Sequence, residues 1–323
     1  MTFNCGPLFL CGVSGTALTS EERDFIVSNN ISGVVLFSKN YFDKKQLKKL
    51  TDSIQSASKS KKIIAVDHEG GRVQRFKHGF SSLPSASEIS KTLKPSDCYE
   101  LFSSVAKELR EVGVNLNFAP CVDILTNPLC EVIGDRSFGR DVLEVSRYAS
   151  SAIRGLQENG VMACAKHFPG HGDTLIDSHL ELPKSERSFE DLKKEDLEVF
   201  KVAFGNGVSF NMMAHLLVSD MDDKLPASLS RKFHEHLKNN LGFKGIIISD
   251  DMEMGAITKN YGALESAELA LRAGTHLVEY RSYESCKEVV SALNKKCEYD
   301  SELRRILEGR IHELSDRLNK LLL

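Results

Sequence analysis

The sequence predicts one (β/α)8 barrel of the TIM type, a single α/β domain that spans residues 1–323. Three observations support this fold class: eight short apolar runs, helical periodicity in most of the segments between them, and the lack of an internal repeat or interdomain linker. Short runs that are apolar throughout are typical of strands buried on both faces of a parallel sheet. Eight such strands, mostly separated by helices, are what a closed barrel of this type requires.

The predicted strands are the eight apolar runs, taken in chain order. They cover residues 8–13, 33–38, 63–67, 114–120, 161–168, 209–215, 245–251 and 276–280. A doubly wound sheet is the alternative, but it normally has fewer strands and a glycine-rich phosphate loop after the first one. The segment CGVSGTAL, which overlaps the first run, matches such a loop poorly, and the barrel is therefore the preferred interpretation.

The segments between the runs have the periodicity of helices that bury one face. In the segment 99–113, Val105 and Leu109 fall on one side, and Gly113 is suited to end the helix. Residues 301–323 carry leucine and isoleucine at helical spacing, which predicts a last helix that closes against the barrel. A helix that pairs with a partner chain is the alternative for this segment.

Composition and charge are those of an ordinary globular protein. Of 323 residues, 41% are hydrophobic and 27% are charged, and the formal net charge is −3. Because the chain has no basic block, nothing predicts binding to nucleic acid or to an acidic membrane surface. No apolar run approaches the roughly 20 residues of a membrane span, and no positively charged stretch precedes the first run as in a signal peptide. We therefore expect a cytoplasmic protein that does not insert into membranes.

The chain has eight cysteines, and none of them belongs to a C-x-x-C pair. That spacing disfavours a zinc site or a thioredoxin-like motif. Several cysteines lie inside apolar runs, where a reduced, buried thiol is the simplest interpretation. Such thiols are in keeping with a reducing cytosol.

Polar residues gather after the predicted strands, at the end of the barrel where the active sites of this fold lie. After the third to the seventh runs these are Asp67, Glu69, Arg72, Arg75, Asp123, Arg136, Lys166, His167, His171, Asp173, Asp177, His179, His215, Asp250 and Asp251. Scattered surface charge would show no such preference for one end of the barrel. The pattern therefore predicts an active site built from several strand ends.

Several reaction classes can be weighed against these residues. A serine hydrolase is disfavoured because no G-x-S-x-G motif follows a strand. A metal-dependent hydrolase is one alternative because the set is rich in aspartate and histidine, although no H-E-x-x-H motif occurs. A Schiff-base aldolase is another, since Lys166 lies at a predicted strand end. Spacing alone excludes neither of the two.

Carbohydrate chemistry is the remaining interpretation. A sugar presents neighbouring hydroxyls, which donate hydrogen bonds to aspartate and accept them from lysine, arginine and histidine. Retaining hydrolysis needs a carboxylate nucleophile and a separate acid/base. Asp250 ends an apolar run and can be held firmly, while Asp177 and His179 form a pair in which the carboxylate can orient the imidazole.

The segment KHFPGHGDTLIDSHLELP, residues 166–183, resembles the hallmark of glycoside hydrolase family 3, in particular of its β-N-acetylglucosaminidase branch. Further segments that resemble the family occur in the family's order along most of the chain. They are VDHEGGRVQRF, NFAPCVDI, VIGDRSFG, MMAHLLVSDMD with PASLS, and GFKGIIISDDMEMGAI. One short motif can arise by chance, whereas an ordered set of this size is not expected to.

The resemblance implies a barrel enzyme that removes terminal β-linked N-acetylglucosamine by double displacement. It assigns the nucleophile to Asp250, the acid/base to His179, and the partner of that histidine to Asp177. It places the sugar-binding positions at Asp67, Arg75, Arg136, Lys166 and His167. Single-domain bacterial members act in the cytosol on muropeptides from peptidoglycan turnover, so a muropeptide or another N-acetylglucosamine glycoside is the expected substrate. We expect no catalytic metal and no cofactor, because a carboxylate and an imidazole fill the required roles.

Some alternatives stay open within the family. It also contains β-glucosidases and β-xylosidases, and a glycoside phosphorylase would differ only in its acceptor, since a neutral histidine base tolerates an incoming phosphate. Oligomeric state is not indicated. Around the eighth run the chain departs from the family, whose members often carry an aspartate and more apolar residues there. His276 and Glu279 in this run indicate either a misplaced strand or an altered wall of the site.

Overall fold

The computed structural model describes residues 3–58 and 60–321, in which the strands form one closed barrel and one small hairpin. The strands are β1 (Phe9–Gly12), β2 (Gly33–Leu36), β3 (Ile63–Val66), β4 (His68–Gly70), β5 (Val73–Gln74), β6 (Leu116–Asn117), β7 (Met162–Phe168), β8 (Phe210–Met213), β9 (Ile246–Asp251) and β10 (Leu277–Tyr280). All except β4 and β5 are parallel strands of a barrel with the order β1–β10–β9–β8–β7–β6–β3–β2. Each of the eight predicted runs contains one barrel strand, so the predicted (β/α)8 fold is confirmed.

Helices surround the barrel. Within the described ranges they are α1 (Ser20–Ser28), α2 (Lys44–Ser56), α3 (Ala86–Thr92), α4 (Pro95–Glu111), α5 (Val142–Gln157), α6 (Phe189–Lys194), α7 (Asp196–Gly205), α8 (Arg231–Glu235), α9 (Gly255–Thr258), α10 (Ala263–Ala273), α11 (Tyr283–Lys296) and α12 (Ser301–Leu321). Short 3₁₀ turns occupy Gly6–Leu8, Ser38–Asn40 and Gly134–Arg136, and a π-helical turn occupies His236–Asn240. As predicted, a helix ends just before Gly113, which has a φ of 84°.

The barrel strands are apolar over most of their length because both of their faces are buried. All residues of β2 and β3 are buried, and the two strands pair in parallel from Gly33 with Ile63 to Leu36 with Val66. In such a barrel one face of each strand fills the interior and the other packs against the helices. This arrangement removes the alternation of polar and apolar residues that a half-exposed strand would show.

The β4–β5 hairpin is an element that the sequence did not reveal. It follows β3 after a single residue, Asp67, and it turns at Gly71, whose φ is 53°. A Cβ atom at Gly71 would lie 2.7 Å from the Cβ of Ser85, so the turn requires glycine on both counts. The hairpin folds the chain back on itself, and Nη2 of Arg75 thereby lies 3.1 Å from Oδ2 of Asp67.

The last helix, α12, closes the barrel at the N-terminal ends of the strands. It packs against α10, β9 and the turn before β1. His276, just before β10, accepts the N–H of Ile247 on Nδ1 at 2.9 Å, and its Nε2 lies 3.1 Å from Oε1 of Glu313 in α12. Burial lowers the pKa of His276 to about 4, which keeps the ring neutral.

The structure at this end of the barrel answers two questions that the sequence left open about the eighth run. The eighth strand was placed correctly, and His276 fastens α12 to the barrel instead of forming a wall of the site. The described part of α12 ends at Leu321, so the last two residues of the predicted helix 301–323 lie outside the described residues.

Two further features bear on the expectations from composition. In the part of the chain that the structure describes, no helix is both long and apolar enough to cross a membrane. All eight cysteines are free thiols and all of them are buried, which agrees with the interpretation of reduced cysteines in the core.

Candidate active site

A cavity of about 1090 Å³ opens at the C-terminal ends of the barrel strands. All eight side chains that the sequence marked for catalysis or sugar binding line it: Asp67, Arg75, Arg136, Lys166, His167, Asp177, His179 and Asp250. The cavity has two contrasting parts. We call the buried network of Asp67, Glu69, Asp123, Arg136, Lys166 and His167 the charged floor, and residues 174–183 the acid/base loop.

Lys166, on β7, is the centre of the charged floor. Its Nζ lies 2.7 Å from Oδ1 of Asp67 and 2.5 Å from Oε1 of Glu69, and its side chain is only 2% exposed. Burial opposes a charge on Lys166, but the two carboxylates outweigh it and raise the pKa of the amine. Burial likewise opposes ionisation of Asp67, but Lys166 and Arg75 hold the pKa of its carboxyl below the usual range.

Arg136 joins the floor through a bidentate ion pair with Glu69. Its Nε donates to Oε2 and its Nη2 to Oε1, both at 2.8 Å, and Nη2 also lies 3.2 Å from Nε2 of His167. Burial opposes ionisation of Glu69, yet Arg136 and Lys166 together lower its pKa to about 2. Glu69 is therefore an internal ion-pair residue, and its partners are two of the sugar-binding candidates.

Asp123 is a residue whose part the sequence left open. It is fully buried, and it accepts hydrogen bonds from the backbone N–H of His167 at 3.1 Å and of His171 at 2.8 Å. It also accepts from Nδ1 of His167 at 2.7 Å, which leaves Nε2 of that ring to face Arg136. Asp123 thus fixes the tautomer and orientation of His167. Its position just after β6 is the signal that could have identified it.

Asp250, near the end of β9, faces the same cavity. Its Oδ1 accepts the backbone N–H of Asp251 at 2.8 Å. Burial raises the pKa of Asp250, but the nearby His167, His215 and Lys166 more than offset that effect and lower it. The carboxylate is therefore ionised at neutral pH, which is the state that a nucleophile needs.

Asp251 and His215 brace the segment that follows Asp250. Asp251 forms an ion pair with Arg281 and accepts the N–H of Glu253 at 2.9 Å, so its contacts are structural. His215 is fully buried between Oγ of Ser228, 2.7 Å from its Nδ1, and the carbonyl oxygen of Asp251, 3.0 Å from its Nε2.

The acid/base loop carries Asp177 and His179, and it is far more exposed than the floor. The two side chains are 42% and 57% exposed, respectively. Oδ1 of Asp177 accepts the backbone N–H of His179 at 2.9 Å and lies 2.7 Å from its Nδ1. Burial opposes ionisation of Asp177, but these hydrogen bonds from His179 lower its pKa. The pair therefore leaves Nε2 of His179 available to a substrate.

Two backbone hydrogen bonds join the acid/base loop to α9, the helix that follows β9. The N–H of Gly255 donates to the carbonyl of His179 at 3.1 Å, and the N–H of Ala256 to that of Ser178 at 3.0 Å. A Cβ atom at Gly255 would lie 2.5 Å from the carbonyl oxygen of Leu180 and 2.6 Å from that of His179. The close approach therefore requires glycine at this position.

Polar contacts of Arg72 and Asp173 hold the rim of the cavity. Nε of Arg72 donates to Oδ1 of Asp135 at 2.8 Å, and its Nη2 donates to the carbonyl of Val132 at 2.9 Å. Asp173 accepts from Oγ of Ser185 at 2.6 Å. Arg72 and Asp173 thus brace the loops around the cavity.

Within the described residues, one group of side chains could hold a metal ion. It consists of Cys121, Asp123 and His167, whose ligand atoms all lie within 4.8 Å of one another. These side chains already bond to each other, since the Cys121 thiol donates to Asp123 at 3.2 Å. Burial raises the pKa of Cys121 well above its usual range, so the thiol stays protonated and is a poor ligand. The expectation of no catalytic metal remains a prediction.

These side chains narrow the reaction class. A Schiff-base lysine needs a lowered pKa, whereas the two carboxylates beside Lys166 raise it, so the aldolase interpretation loses its support. A buried set of ionic hydrogen-bonding groups suits a polyhydroxylated ligand. Combined with an ionised carboxylate and an exposed aspartate–histidine pair, it defines a site of the glycosidase class.

Comparison with known proteins leads to the same class. Residues 8–308 match the family described as the glycosyl hydrolase family 3 N terminal domain. The chain therefore belongs to glycosyl hydrolase family 3, and the predicted resemblance to this family is confirmed. The expectation that the protein is a glycoside hydrolase is confirmed with it.

Relatives and solved structures are similar to the chain over most of its length. A beta-hexosaminidase of Tolumonas auensis is 40% identical over 280 residues, which are 84% of this chain and 82% of that protein. A family 3 beta-N-acetylglucosaminidase of Paenibacillus has a TM-score of 0.91 and 34% identity, and the match covers 97% of this chain and 61% of that longer one. NagZ of Neisseria gonorrhoeae, solved in complex with N-trifluoroacetyl-D-glucosamine, has a TM-score of 0.83 and 33% identity, with 97% and 90% covered.

Proposed function

We propose that this protein is a retaining exo-β-N-acetylglucosaminidase, acting through one barrel domain that spans residues 1–323. The observation that carries the proposal is the arrangement of Asp250, the Asp177–His179 pair and the charged floor around one cavity. An ionised carboxylate on one side and a proton carrier on the other are the two groups that double displacement requires.

In the first step, a carboxylate oxygen of Asp250 attacks the anomeric carbon as the bond to the leaving oxygen breaks. The imidazolium of His179 gives that oxygen its Nε2 proton, while Nδ1 keeps its proton in the hydrogen bond to Asp177. The products of this step are a glycosyl-aspartate ester and a neutral imidazole.

In the second step, water attacks the same carbon and displaces Asp250. Nε2 of the neutral His179 takes the proton of that water, which restores the imidazolium for the next cycle. Asp177 stays ionised throughout and stabilises the charged ring, as an aspartate does in a catalytic triad.

Recognition of the sugar falls to the charged floor in this proposal. Carboxylate oxygens of Asp67 and Nε2 of His167 accept hydrogen bonds from hydroxyls, and Lys166, Arg136 and Arg75 supply donors. The preference for an N-acetylated sugar is supported by the names of the relatives and by the amide-bearing glucosamine in the Neisseria gonorrhoeae complex. A site built for the acetamido group would reject plain glucose, because its polar groups would lose their partners.

We propose a muropeptide from peptidoglycan turnover as the natural substrate and the cytoplasm as the location. Both proposals derive from the resemblance of the KHFPGHGDT and DSH segments to the peptidoglycan-recycling members of the family. Incubation with purified muropeptides should release free N-acetylglucosamine, and failure to do so would exclude this substrate while leaving the glycosidase activity in place.

The test of the activity is a panel of nitrophenyl glycosides, assayed with and without phosphate and with EDTA. We expect clear preference for the β-N-acetylglucosaminide over the β-glucoside, no action on α-linked sugars, and no effect of EDTA. Faster cleavage of the β-glucoside would contradict the proposed specificity. Formation of a sugar phosphate would identify a phosphorylase, and loss of activity on chelation, restored by zinc or manganese, would restore the metal-hydrolase alternative.

A further inference from the structure

Glu279 is a buried acid in the cavity that the mechanism above does not use. It lies on β10, beside the strand of Asp250, and it is 4% exposed although it lines the cavity. Among the described residues its Oε2 atom has no hydrogen-bond partner, and it is buried. Buried polar atoms are nearly always paired in folded proteins, so an unpaired one in a residue that lines a binding cavity points to a role for this carboxyl group in ligand binding.

The backbone holds Glu279 in this position. Its N–H donates to Oγ of Ser249 at 3.0 Å, and its carbonyl accepts the N–H of Met252 at 3.0 Å. The next residue, Tyr280, points to the opposite face of the strand, where its hydroxyl lies 3.4 Å from the carbonyl oxygen of Ala263 in α10. Since strand side chains alternate, Glu279 is directed into the barrel and cannot turn to solvent.

Burial and the surrounding charges disfavour the ionised form of Glu279. Burial raises the pKa of its carboxyl, and Asp251, Asp67 and Asp250 raise it further from β9 and from the end of β3. Lys166 on β7 acts in the other direction but is already paired with carboxylates of the floor. The neutral carboxylic acid is thus the favoured form of Glu279, and it can donate a hydrogen bond, whereas the carboxylates of Asp67, Asp250 and Asp251 can only accept one.

We propose that Glu279 determines specificity by donating a hydrogen bond from its carboxylic acid to an oxygen of the sugar bound beside Asp250. This inference rests on the proposed glycosidase function and adds a contact to it. The floor's cationic donors Lys166 and Arg136 come from β7 and from the segment after β6, whereas Glu279 supplies a donor from β10. Hydroxyl and acetamido oxygens both accept such a bond, and neither competes with the ion pairs of the floor.

Two substitutions separate the hydrogen bond from the shape of the residue. Glu279→Gln keeps a donor of similar size that cannot ionise, and Glu279→Leu removes the donor. On nitrophenyl β-N-acetylglucosaminide we expect Glu279→Leu to lower kcat/KM about tenfold, as loss of one buried hydrogen bond does. We expect Glu279→Gln to stay within about threefold of the wild type, because the amide restores the donor.

Thermal unfolding of the free enzymes gives the second readout. Because Oε2 has no partner among the residues that the structure describes, Glu279→Leu should keep or raise the melting temperature while it lowers activity. A lower melting temperature with equal loss in both variants would identify a purely structural residue and overturn the proposal. Should Glu279→Leu not fold, the unbranched Glu279→Met takes its place with the same expectations.

Deoxy substrates identify the oxygen that Glu279 contacts. The analogue that lacks this oxygen should lose no further activity in Glu279→Leu, whereas every other analogue should lose about tenfold. Equal kcat/KM in wild type and Glu279→Leu, or the same additional loss on every analogue, would overturn the inference alone. An inactive wild type would instead contradict the proposed function, and the assignment of Glu279 would fail with it.

Discussion

The charged floor and the acid/base loop of the same cavity are built in opposite ways. Lys166 and Glu69 of the floor are 2% and 6% exposed and pair directly, at 2.5 Å. Asp177 and His179 of the loop are 42% and 57% exposed and bond mainly to each other. The loop is joined to α9 by backbone hydrogen bonds from Gly255 and its neighbour.

The difference indicates how sugar binding and proton transfer would be divided between the floor and the loop. A floor whose charged groups are already held by ion pairs within the protein needs little reorganisation to bind a sugar. The proposed proton carrier, His179, must instead meet a leaving group at one step and water at the next, which favours a position near solvent. Variants of the floor should therefore affect stability and binding together, whereas variants of the loop should affect chemistry alone.

Removal of the imidazole from the loop should have the largest effect on turnover. His179→Ala should lower kcat by about 10²- to 10⁴-fold on substrates with poor leaving groups, and much less on activated aryl glycosides, which need little protonation. Its free energy of unfolding should change by no more than about 0.5 kcal/mol, since the side chain is exposed. His312→Ala, an exposed histidine on α12, is the matched control and should change neither quantity. Equal losses on both substrate classes would contradict the acid/base role.

Neutralisation of Glu69 should, in contrast to removal of the imidazole, have a large effect on the free energy of unfolding. Glu69→Gln leaves Arg136 charged and buried without its carboxylate, which should lower the free energy of unfolding by about 3–5 kcal/mol. Denaturant unfolding at pH 7 measures this loss. Glu308→Gln removes the partner of an exposed ion pair with Arg304 and should cost at most about 1 kcal/mol. Similar costs at the two positions would show that the floor is not a stabilising network.

Displacement of the loop, with Asp177 and His179 kept, should lower activity less than removal of the imidazole does. A Cβ at Gly255 meets two carbonyl oxygens of the loop at 2.5 and 2.6 Å, so Gly255→Ala must move the loop. We expect kcat/KM to fall about tenfold, because a misplaced acid/base loses part of its advantage. Gly309→Ala in α12, where a Cβ meets nothing within 4 Å, is the control. Unchanged kinetics in Gly255→Ala would show that the contact with α9 does not position His179.

The pH dependence of stability should reveal the floor as well. Glu69 has a folded pKa of about 2 against an ordinary value of 4.5, so its contribution is complete above pH 4.5 and is lost as the pH falls toward 2. At pH 3.5 the stability difference between wild type and Glu69→Gln should be on the order of 1 kcal/mol smaller than at pH 7. Unfolding curves at the two pH values test this, and a constant difference would mean that Glu69 is not held as an anion in the folded state.

The barrel and the loop pair could be predicted from sequence because their signals are local. Eight apolar runs mark the strands, and Asp177 and His179 are two residues apart, so spacing alone indicates that they meet. The ion pairs of the floor join residues that are far apart along the chain: Glu69 and Arg136 are separated by 67 positions, and Lys166 and Asp67 by 99. Composition and periodicity cannot show which of several charged residues pair across such distances.

Three further features could not be predicted because their sequence signals are too weak or depend on contacts in the folded barrel. The β4–β5 hairpin consists of short segments with polar residues, so it lacks the apolar run that revealed the other strands. Asp123 acts through His167 and His171, and its role becomes visible only when β6 and β7 lie side by side. Glu279 stood out as an acid in an apolar run, but only the barrel shows that it faces the cavity while His276 faces α12.

The central claim is that Asp250 forms a covalent bond to the sugar, and trapping of that intermediate tests it most directly. The protein would be incubated with a 5-fluoro glycosyl fluoride of N-acetylglucosamine, digested, and sequenced by tandem mass spectrometry, which distinguishes Asp250 from Asp251. We predict one sugar adduct, on Asp250, that is absent from an inactive Asp250→Ala variant. A label on another carboxylate, or full activity in Asp250→Ala, would contradict the account.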